Sequence, residues 1–296
     1  MFAIQNTIEE GLPIFILQNK SNTTSAKVSL NEGGRLKGLK INTIILIKEI
    51  KKFDYKTSYA SSVLFPFVGR IAEGKYSYQN KEFQLNYNHN SSNALHGLVY
   101  NKKFKVVKET KNLNFASVII HFKEIDKNLG FPYKFNLQLT YTLFENEITL
   151  SIEIENTDSK TFPFTIGWHP YFLCDKLSKS ALKFKSNQKI KFNENLITEK
   201  VIDHKTKKHF KIKDQQLDDC FILNSNTVAF LTPNYHIEIS SNQPENYLQL
   251  YTPKDLPLIA IEPMTRVSNS FNNKIGLQEL FPNQKHSITW NVKLNT

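Results

Sequence analysis

The chain has 296 residues, of which 40% are hydrophobic and 22% are charged, so it has the composition of a folded globular protein rather than of a disordered chain. Its formal net charge is +11, but the lysines are spread along the chain, and Phe210 is the one aromatic ring in the densest run, residues 205–213. This pattern favours a solvated basic surface over nucleic-acid binding, and it leaves attraction of anionic substrates such as sugar phosphates open. Because no apolar run approaches about 18 residues and no signal-peptide pattern opens the chain, we expect a cytoplasmic protein that does not bind a membrane, with Cys174 and Cys220 reduced.

Alternation of apolar and polar residues is the main structural signal, and it predicts strands along much of the chain. It is clearest in a hairpin from Phe135 to Ile154, in which apolar side chains take every second position on both sides of a turn at residues 145–146. Long helical patterns are scarce; residues 44–55 are ambiguous, and we expect at most one or two short helices. Further predicted strands are Val118–Phe122, Ile237–Ser240, Tyr247–Tyr251, Leu258–Ile261 and Ile288–Leu294.

No repeat, low-complexity tract or linker divides the chain. The polar stretch from Ser178 to Lys213 is the best candidate for long loops or for an excursion at a sheet edge. Together with the strand pattern, this predicts an all-β protein in which residues 1–296 form a single domain, a large antiparallel β-sandwich.

Two titratable residues lie within apolar or aromatic surroundings. Glu262 follows four apolar residues and precedes Pro263, which predicts a carboxylate where a buried strand ends. Such a residue can serve as a general base whose pKa is set by burial, or it can simply pair with a nearby arginine. His169 lies between Trp168 and the sequence Pro-Tyr-Phe, where an imidazole is either a structural residue or a proton donor near neutral pH.

Two further residues suit contacts with a polar ligand. His96 is followed by Gly97, and a glycine allows the backbone to approach a ligand closely. Arg70 presents a planar fork of donors that fits hydroxyl groups or a ring oxygen. Neither signal is specific when taken alone.

Other kinds of site find little support in the sequence. The eight histidines include no HExxH or other common metal spacing, so we expect no metal site. Glycine-rich nucleotide loops and the GxSxG motif of esterases are also missing, which disfavours dinucleotide enzymes and common hydrolases.

Considered together, these segments resemble the aldose 1-epimerase family over roughly residues 25–290. The resemblance rests on four stretches that occur in the family's order, and it is supported by an opening EGGRLKGLKIN and by LDDCFIL near residue 220. The four stretches read GRIAEGKY, NALHG, GWHPYF and IEPMT followed by SNSFN.

This resemblance implies a galactose mutarotase-like β-sandwich, with a sugar-binding cleft across one sheet and no need for a metal or cofactor. It also implies roles: Glu262 as the general base, His169 as the general acid, and His96 and Arg70 as residues that position the sugar ring oxygen and hydroxyls. Asp218 corresponds to a substrate-binding carboxylate, although the neighbouring Asp219 could take that place. We expect the carboxylate and the imidazole to face each other across a gap about one sugar group wide.

The implied activity is that of an isomerase, a mutarotase that interconverts the α and β anomers of an aldose by acid/base ring opening and closure. Two alternatives remain at this point: a sugar-6-phosphate mutarotase on the same fold, and a carbohydrate-binding protein without catalysis. The preferred sugar and the oligomeric state do not follow from the sequence.

Overall fold

The computed structural model describes residues 1–88, 92–126 and 130–295. Within them the chain is built from short and medium strands, as the alternating pattern predicts. The first ten strands are β1 (Phe2–Glu9), β2 (Leu12–Asn19), β3 (Ser25–Ser29), β4 (Leu36–Ile41), β5 (Ile44–Ile47), β6 (Val63–Leu64), β7 (Arg70–Ile71), β8 (Lys75–Tyr78), β9 (Lys81–Gln84) and β10 (Ala94–Leu95).

The remaining strands are β11 (Lys105–Lys111), β12 (Ala116–Glu124), β13 (Phe135–Leu143), β14 (Glu147–Asn156), β15 (Phe162–Phe164), β16 (Gly167–Trp168), β17 (Tyr171–Leu173), β18 (Ala181–Lys183), β19 (Ser186–Phe192), β20 (Thr198–Asp203), β21 (Phe210–Lys211), β22 (Asp218–Leu223), β23 (Thr227–Leu231), β24 (His236–Ser241), β25 (Asn246–Tyr251), β26 (Leu258–Met264), β27 (Gln278–Leu280) and β28 (Lys285–Asn295). Helix is confined to α1 (Tyr55–Ser58), α2 (Ser270–Asn273) and two 3-10 turns at Ala72–Gly74 and Leu177–Lys179 in the described part of the chain, and none of these is long and apolar enough to cross a membrane.

Two large sheets form the sandwich. One has nine strands in the order β11-β12-β13-β14-β28-β24-β23-β18-β21, and the other has eight, in the order β20-β19-β22-β25-β26-β16-β6 with β17 also paired to β26. A five-stranded sheet, β1 to β5, and three two-stranded pairs complete the described structure. The pairings within both large sheets are antiparallel, so the predicted all-β antiparallel sandwich is confirmed.

The hairpin predicted from Phe135 onward is β13 and β14, and the bounds of β13 match the predicted alternation. Its apolar face is fully buried, because every second side chain points into the core between the two large sheets. The same core takes Ile259 and Ile261 from β26 in the facing sheet. The alternate residues of β26 therefore point away from this core, onto the outer face of the eight-stranded sheet.

The structure also assigns secondary structure to the ambiguous stretch and to the polar stretch of the sequence. Residues 44–55 contain β5 and the first residue of α1 rather than one helix. The polar stretch from Ser178 to Lys213 contributes four strands, β18 to β21, at the edges of the two large sheets. Its interpretation as an edge excursion is confirmed, whereas long irregular loops were a wrong expectation because alternate side chains such as Leu182, Phe184 and Ile190 still reach the interior.

Candidate active site

A cavity of about 280 Å³ lies on the outer face of the eight-stranded sheet. Its floor comes from β22, β25 and β26, and its walls come from loops and from the two-stranded pair of β7 and β10. The sequence-predicted site residues that line this cavity are Arg70, His96, His169, Asp218 and Glu262.

Glu262 lies in the middle of β26, where it is 3% exposed. The sequence predicted that the strand ends at this residue because Pro263 cannot donate to a ladder, and that prediction was wrong. The Ile261 N–H donates to the Pro170 carbonyl, and the Thr265 N–H donates to the Ile166 carbonyl. An N–H at position 263 would point to the same side of β26 as these two, because alternate residues of a strand direct their N–H groups to the same side.

On that side of β26 the neighbouring strand is interrupted. The chain leaves β16 after Trp168 and resumes in β17 at Tyr171, so no regular partner strand faces Pro263 there. A proline is therefore accommodated inside the sheet without losing a ladder hydrogen bond.

His169 lies in this interruption between β16 and β17. Its backbone is held on both sides, because Ser61 N–H donates to its carbonyl at 2.8 Å and its own N–H donates to the Ser62 carbonyl at 3.0 Å. The imidazole is 5% exposed, and its Nε2 lies 3.4 Å from Oε1 of Glu262. The two groups are thus in direct contact, closer than the gap expected from the sequence.

Arg70 and His96 reach the cavity from β7 and from the residue after β10. Arg70 pairs with Leu95, and His96 N–H donates to the Gly69 carbonyl at 2.8 Å. His96 and Gly97 both have a positive φ, and a Cβ on Gly97 would lie 2.3 Å from the Phe65 carbonyl oxygen. Only glycine fits at position 97, and this tight turn directs the His96 ring into the cavity.

The two neighbouring aspartates are separated by the alternation of β22. Asp218 lines the cavity, where its Oδ1 accepts a hydrogen bond from Nε2 of Gln249 at 2.6 Å. Asp219 instead pairs with Lys189 at 3.2 Å and does not line the cavity.

Burial controls the charges of Glu262 and His169. It raises the pKa of Glu262 well above its ordinary value; the negative charge of Asp218 raises it further, and Arg70 opposes both effects. Burial also lowers the pKa of His169 to about 3. In the cavity without substrate, both effects favour a neutral carboxylic acid next to a neutral imidazole.

Burial also shifts the pKa values of the neighbouring titratable groups. Burial raises the pKa of Asp218, an effect that Arg70 opposes. Burial lowers the pKa of His96 well below its usual range, and the adjacent His169 and Arg70 lower it further. Several titratable groups with strongly shifted pKa values in one cavity are typical of a functional site.

Several lining residues carry no specific sequence signal. Gln249 occupies a polar position of the predicted strand Tyr247–Tyr251, but alternation alone does not say which face is functional. Tyr171 belongs to the GWHPYF stretch, and the sequence assigns it no role. Apolar wall residues that had no signal at all are Phe53, Phe192 and Leu196, whereas Met264 on the floor belongs to the IEPMT stretch without an assigned role.

Fold and site together define a galactose mutarotase-like β-sandwich protein with a buried imidazole–carboxylate contact. The model of the aldose 1-epimerase family matches residues 13–293, so the chain belongs to that family.

Similar proteins cover most or part of the chain. The uncharacterized protein YihR of Escherichia coli K12 is 27% identical over 250 residues, which is 79% of each chain. The galactose mutarotase of Sus scrofa is 28% identical over 131 residues, or 44% of this chain and 37% of that protein.

Solved structures of other proteins match this fold over the whole chain. A galactose mutarotase-like protein from Clostridium acetobutylicum has a TM-score of 0.88 at 19% identity, covering 100% of this chain and 99% of its own. The galactose 1-epimerase of Lactobacillus acidophilus has a TM-score of 0.79 at 17% identity, covering 100% and 98%.

Proposed function

We propose that this protein is an aldose 1-epimerase that interconverts the α and β anomers of a neutral monosaccharide. The observation that carries the proposal is the 3.4 Å contact between His169 Nε2 and Glu262 Oε1 in a cavity also lined by Arg70, His96 and Asp218.

The geometry of the pair suits the chemistry. The C1 hydroxyl oxygen and the ring oxygen of a pyranose are bonded to the same carbon, so an acid and a base in contact can reach both. Glu262 takes the proton of the C1 hydroxyl while His169 gives a proton to the ring oxygen, and the ring opens to the aldehyde. Rotation about the C1–C2 bond and reclosure with reversed proton transfers give the other anomer.

One proton on the pair is sufficient for this cycle. The neutral acid–imidazole pair and the carboxylate–imidazolium pair hold the same number of protons and differ by one transfer between Glu262 and His169. A bound sugar stabilises the ionic form because its hydroxyl donates to the carboxylate and its ring oxygen accepts from the imidazolium. The active state is therefore the singly protonated pair, which titrates as a unit.

The charges around the cavity favour a neutral sugar over a sugar phosphate. Arg70 is the only lysine or arginine among the described lining residues, and Asp218 and Glu262 already face it. A phosphate would need further lysine or arginine side chains, which this cavity lacks among those residues. A separate cavity beside the start of β19 is instead lined by five lysines, Lys183, Lys185, Lys205, Lys207 and Lys208.

The same pair disfavours a role in sugar binding alone. Burial of both Glu262 and His169 opposes their charged forms, which is an energetic cost that recognition of hydroxyls does not require. Exposed amides and carboxylates would bind a sugar without that cost.

The test is the rate of anomer interconversion, followed by polarimetry or by NMR exchange spectroscopy on freshly dissolved single anomers. The panel contains glucose, galactose and other free aldoses together with glucose 6-phosphate, each corrected for the spontaneous rate in the same buffer. We expect catalysed exchange of at least one free aldose. Rates equal to the spontaneous rate for every sugar, with sugar binding still detectable, would favour the binding protein.

A further inference from the structure

Five rings pack in series through the candidate active site. Phe53 meets Tyr171 edge-on at 4.8 Å between ring centroids, and Tyr171 stacks on His169 at 4.9 Å. His169 then meets His96 at 4.9 Å, and His96 meets Tyr59 at 4.9 Å. The two imidazoles thus occupy consecutive inner positions of the series.

The first and last of these five rings come from one short stretch of chain, and the Tyr59 ring packs in turn against Tyr100 at 4.8 Å. Phe53 precedes α1 and Tyr59 is the residue that ends it, so residues 53–62, here called the bracket segment, contact the series at both ends. The bracket segment also forms the two backbone hydrogen bonds of His169, through Ser61 and Ser62.

The Nδ1 atom of each imidazole lacks an orienting partner in another described residue. A catalytic histidine is usually oriented by a hydrogen bond on the ring nitrogen that does not react. Nδ1 of His96 and Nδ1 of His169 are both buried, and neither has a hydrogen-bond partner in another described residue. The orientation of both rings therefore depends on the rings packed against them, to which His169 adds its contact with Glu262 and a hydrogen bond to its own backbone.

The bracket segment is itself firmly anchored. The Tyr55 hydroxyl lies 2.6 Å from the Tyr100 carbonyl oxygen and 2.8 Å from the Ser62 hydroxyl. Arg35, which is 2% exposed, lies 4.1 Å above the Tyr55 ring and forms ion pairs with Glu32 and Glu49. A buried guanidinium bound on two sides is a rigid support for the segment.

From these contacts we propose that the bracket segment is a positioning element, with Phe53 and Tyr59 holding the two imidazole rings in the orientation that proton transfer needs. Neither residue donates or accepts a proton in the reaction; they act through His169 and His96. The inference rests on the proposed function for its kinetic consequences, whereas the ring orientation it describes can be measured on its own.

The test compares variants with and without a ring. Phe53→Leu and Tyr59→Leu remove a terminal ring, and Tyr59→Phe is the matched control because it keeps the ring and removes only the hydroxyl. We expect kcat for anomer exchange to fall by about 10- to 100-fold in the two leucine variants with KM within about threefold, since a small misplacement of a catalytic group is costly. Tyr59→Phe should stay within about threefold of the parent protein.

Imidazole NMR supplies a readout independent of turnover. In the parent protein and in Tyr59→Phe, we expect one sharp set of ring resonances for His169 and for His96. In the leucine variants we expect broadened resonances and a titration of His169 closer to that of an ordinary histidine, because the ring is no longer enclosed. Phe53 is only half-buried, so Phe53→Leu is the variant that keeps the fold if Tyr59→Leu does not.

Unchanged ring resonances and unchanged kcat in folded Phe53→Leu would overturn the positioning role. An equal loss in Tyr59→Phe and Tyr59→Leu would overturn it as well, since the ring would then not be the cause. If the parent protein exchanges no anomers but the leucine variants still show altered imidazole resonances, the proposed function fails and the positioning element stands.

Discussion

Gln249 and Glu262 are cross-strand partners on β25 and β26, yet the Gln249 amide donates its hydrogen bond to Asp218 on the opposite neighbouring strand, at 2.6 Å. This arrangement fixes the Asp218 carboxylate against the cavity floor. It also leaves Glu262 with the His169 contact and no hydrogen-bond partner among the described residues. The general base of the proposed function needs free lone pairs for the substrate hydroxyl, and this division of partners leaves them on Glu262.

Replacement of Glu262 by glutamine keeps the shape of the side chain and removes the basic oxygen. We expect kcat for anomer exchange to fall by at least about 100-fold, with sugar affinity much less affected. The measurements are exchange rates and calorimetric binding of the best sugar. Glu109→Gln, at an exposed position on β11, is the control; near-parental turnover in Glu262→Gln would remove this residue from the mechanism.

The same substitution should raise thermal stability at neutral pH. The folded-state pKa of Glu262 is raised by burial, so ionisation of this residue in the unfolded chain lowers the free energy of unfolding as pH rises above its ordinary pKa. Glutamine is neutral throughout and removes that loss. We expect Tm at pH 7 to increase by about 2 °C or more, and the increase to shrink toward about pH 4. A lower Tm at pH 7 would contradict the assigned burial cost.

The two histidines should differ in their kinetic effects. His169→Asn is expected to abolish most of kcat because it removes the proton donor in contact with Glu262. His96→Asn should change both kcat and KM, since this ring lines the cavity and packs against His169 rather than against the Glu262 carboxylate. Steady-state kinetics of both variants decide the matter, and a far larger loss of kcat in His96→Asn would mean that the two roles are exchanged.

The pH dependence of activity should respond to Asp218. After burial, the charge of Asp218 is the next cause that raises the pKa of Glu262, so its removal lowers that pKa. We therefore expect the acidic limb of the kcat/KM profile to move to lower pH in Asp218→Asn, because the singly protonated pair takes up a second proton less readily once the negative charge of Asp218 is removed.

Asp219→Asn is the matched control for this shift. Its carboxylate pairs with Lys189 and does not line the cavity, so the acidic limb should stay in place. An acidic limb that moves to higher pH in Asp218→Asn, or that moves equally in both variants, would contradict the electrostatic assignment.

Salt and substrate charge provide a further prediction. The chain carries a formal net charge of +11, but the cavity has Arg70 as its only lysine or arginine in the described lining. We expect exchange of a free aldose to exceed that of its 6-phosphate, with little dependence on added salt. Rates measured with both sugars at low and high ionic strength test this, and a strong, salt-sensitive preference for the phosphate would support the sugar-6-phosphate alternative.

The sequence predicts the fold class and much of the strand pattern, because alternation reports directly which side chains face the core. It does not predict the course of β26 through Pro263, since the break in the neighbouring strand after Trp168 is a tertiary feature. Spacing also leaves Asp218 and Asp219 equivalent until the register of β22 places them on opposite faces.

The candidate site likewise combines features that the sequence predicts with features that it does not. Arg70, His96, His169 and Glu262 occur in recognisable segments, and the structure brings their side chains into one cavity. The packing of Phe53 against Tyr171 had no local signal, because it joins residues more than a hundred positions apart through ring contacts alone.

The wall and the floor of the cavity differ in how firmly they are tied to the rest of the molecule. Every residue of β26 is buried, and this strand is paired on both sides, whereas β20 is an edge strand that pairs only with β19. The turn between β19 and β20 brings Leu196 to the cavity, and Phe192 lies just before it. Insertions or exchanges in this edge hairpin can therefore reshape the cavity wall while Glu262 and His169 stay where they are, so that under the proposed function substrate range can evolve separately from the chemistry.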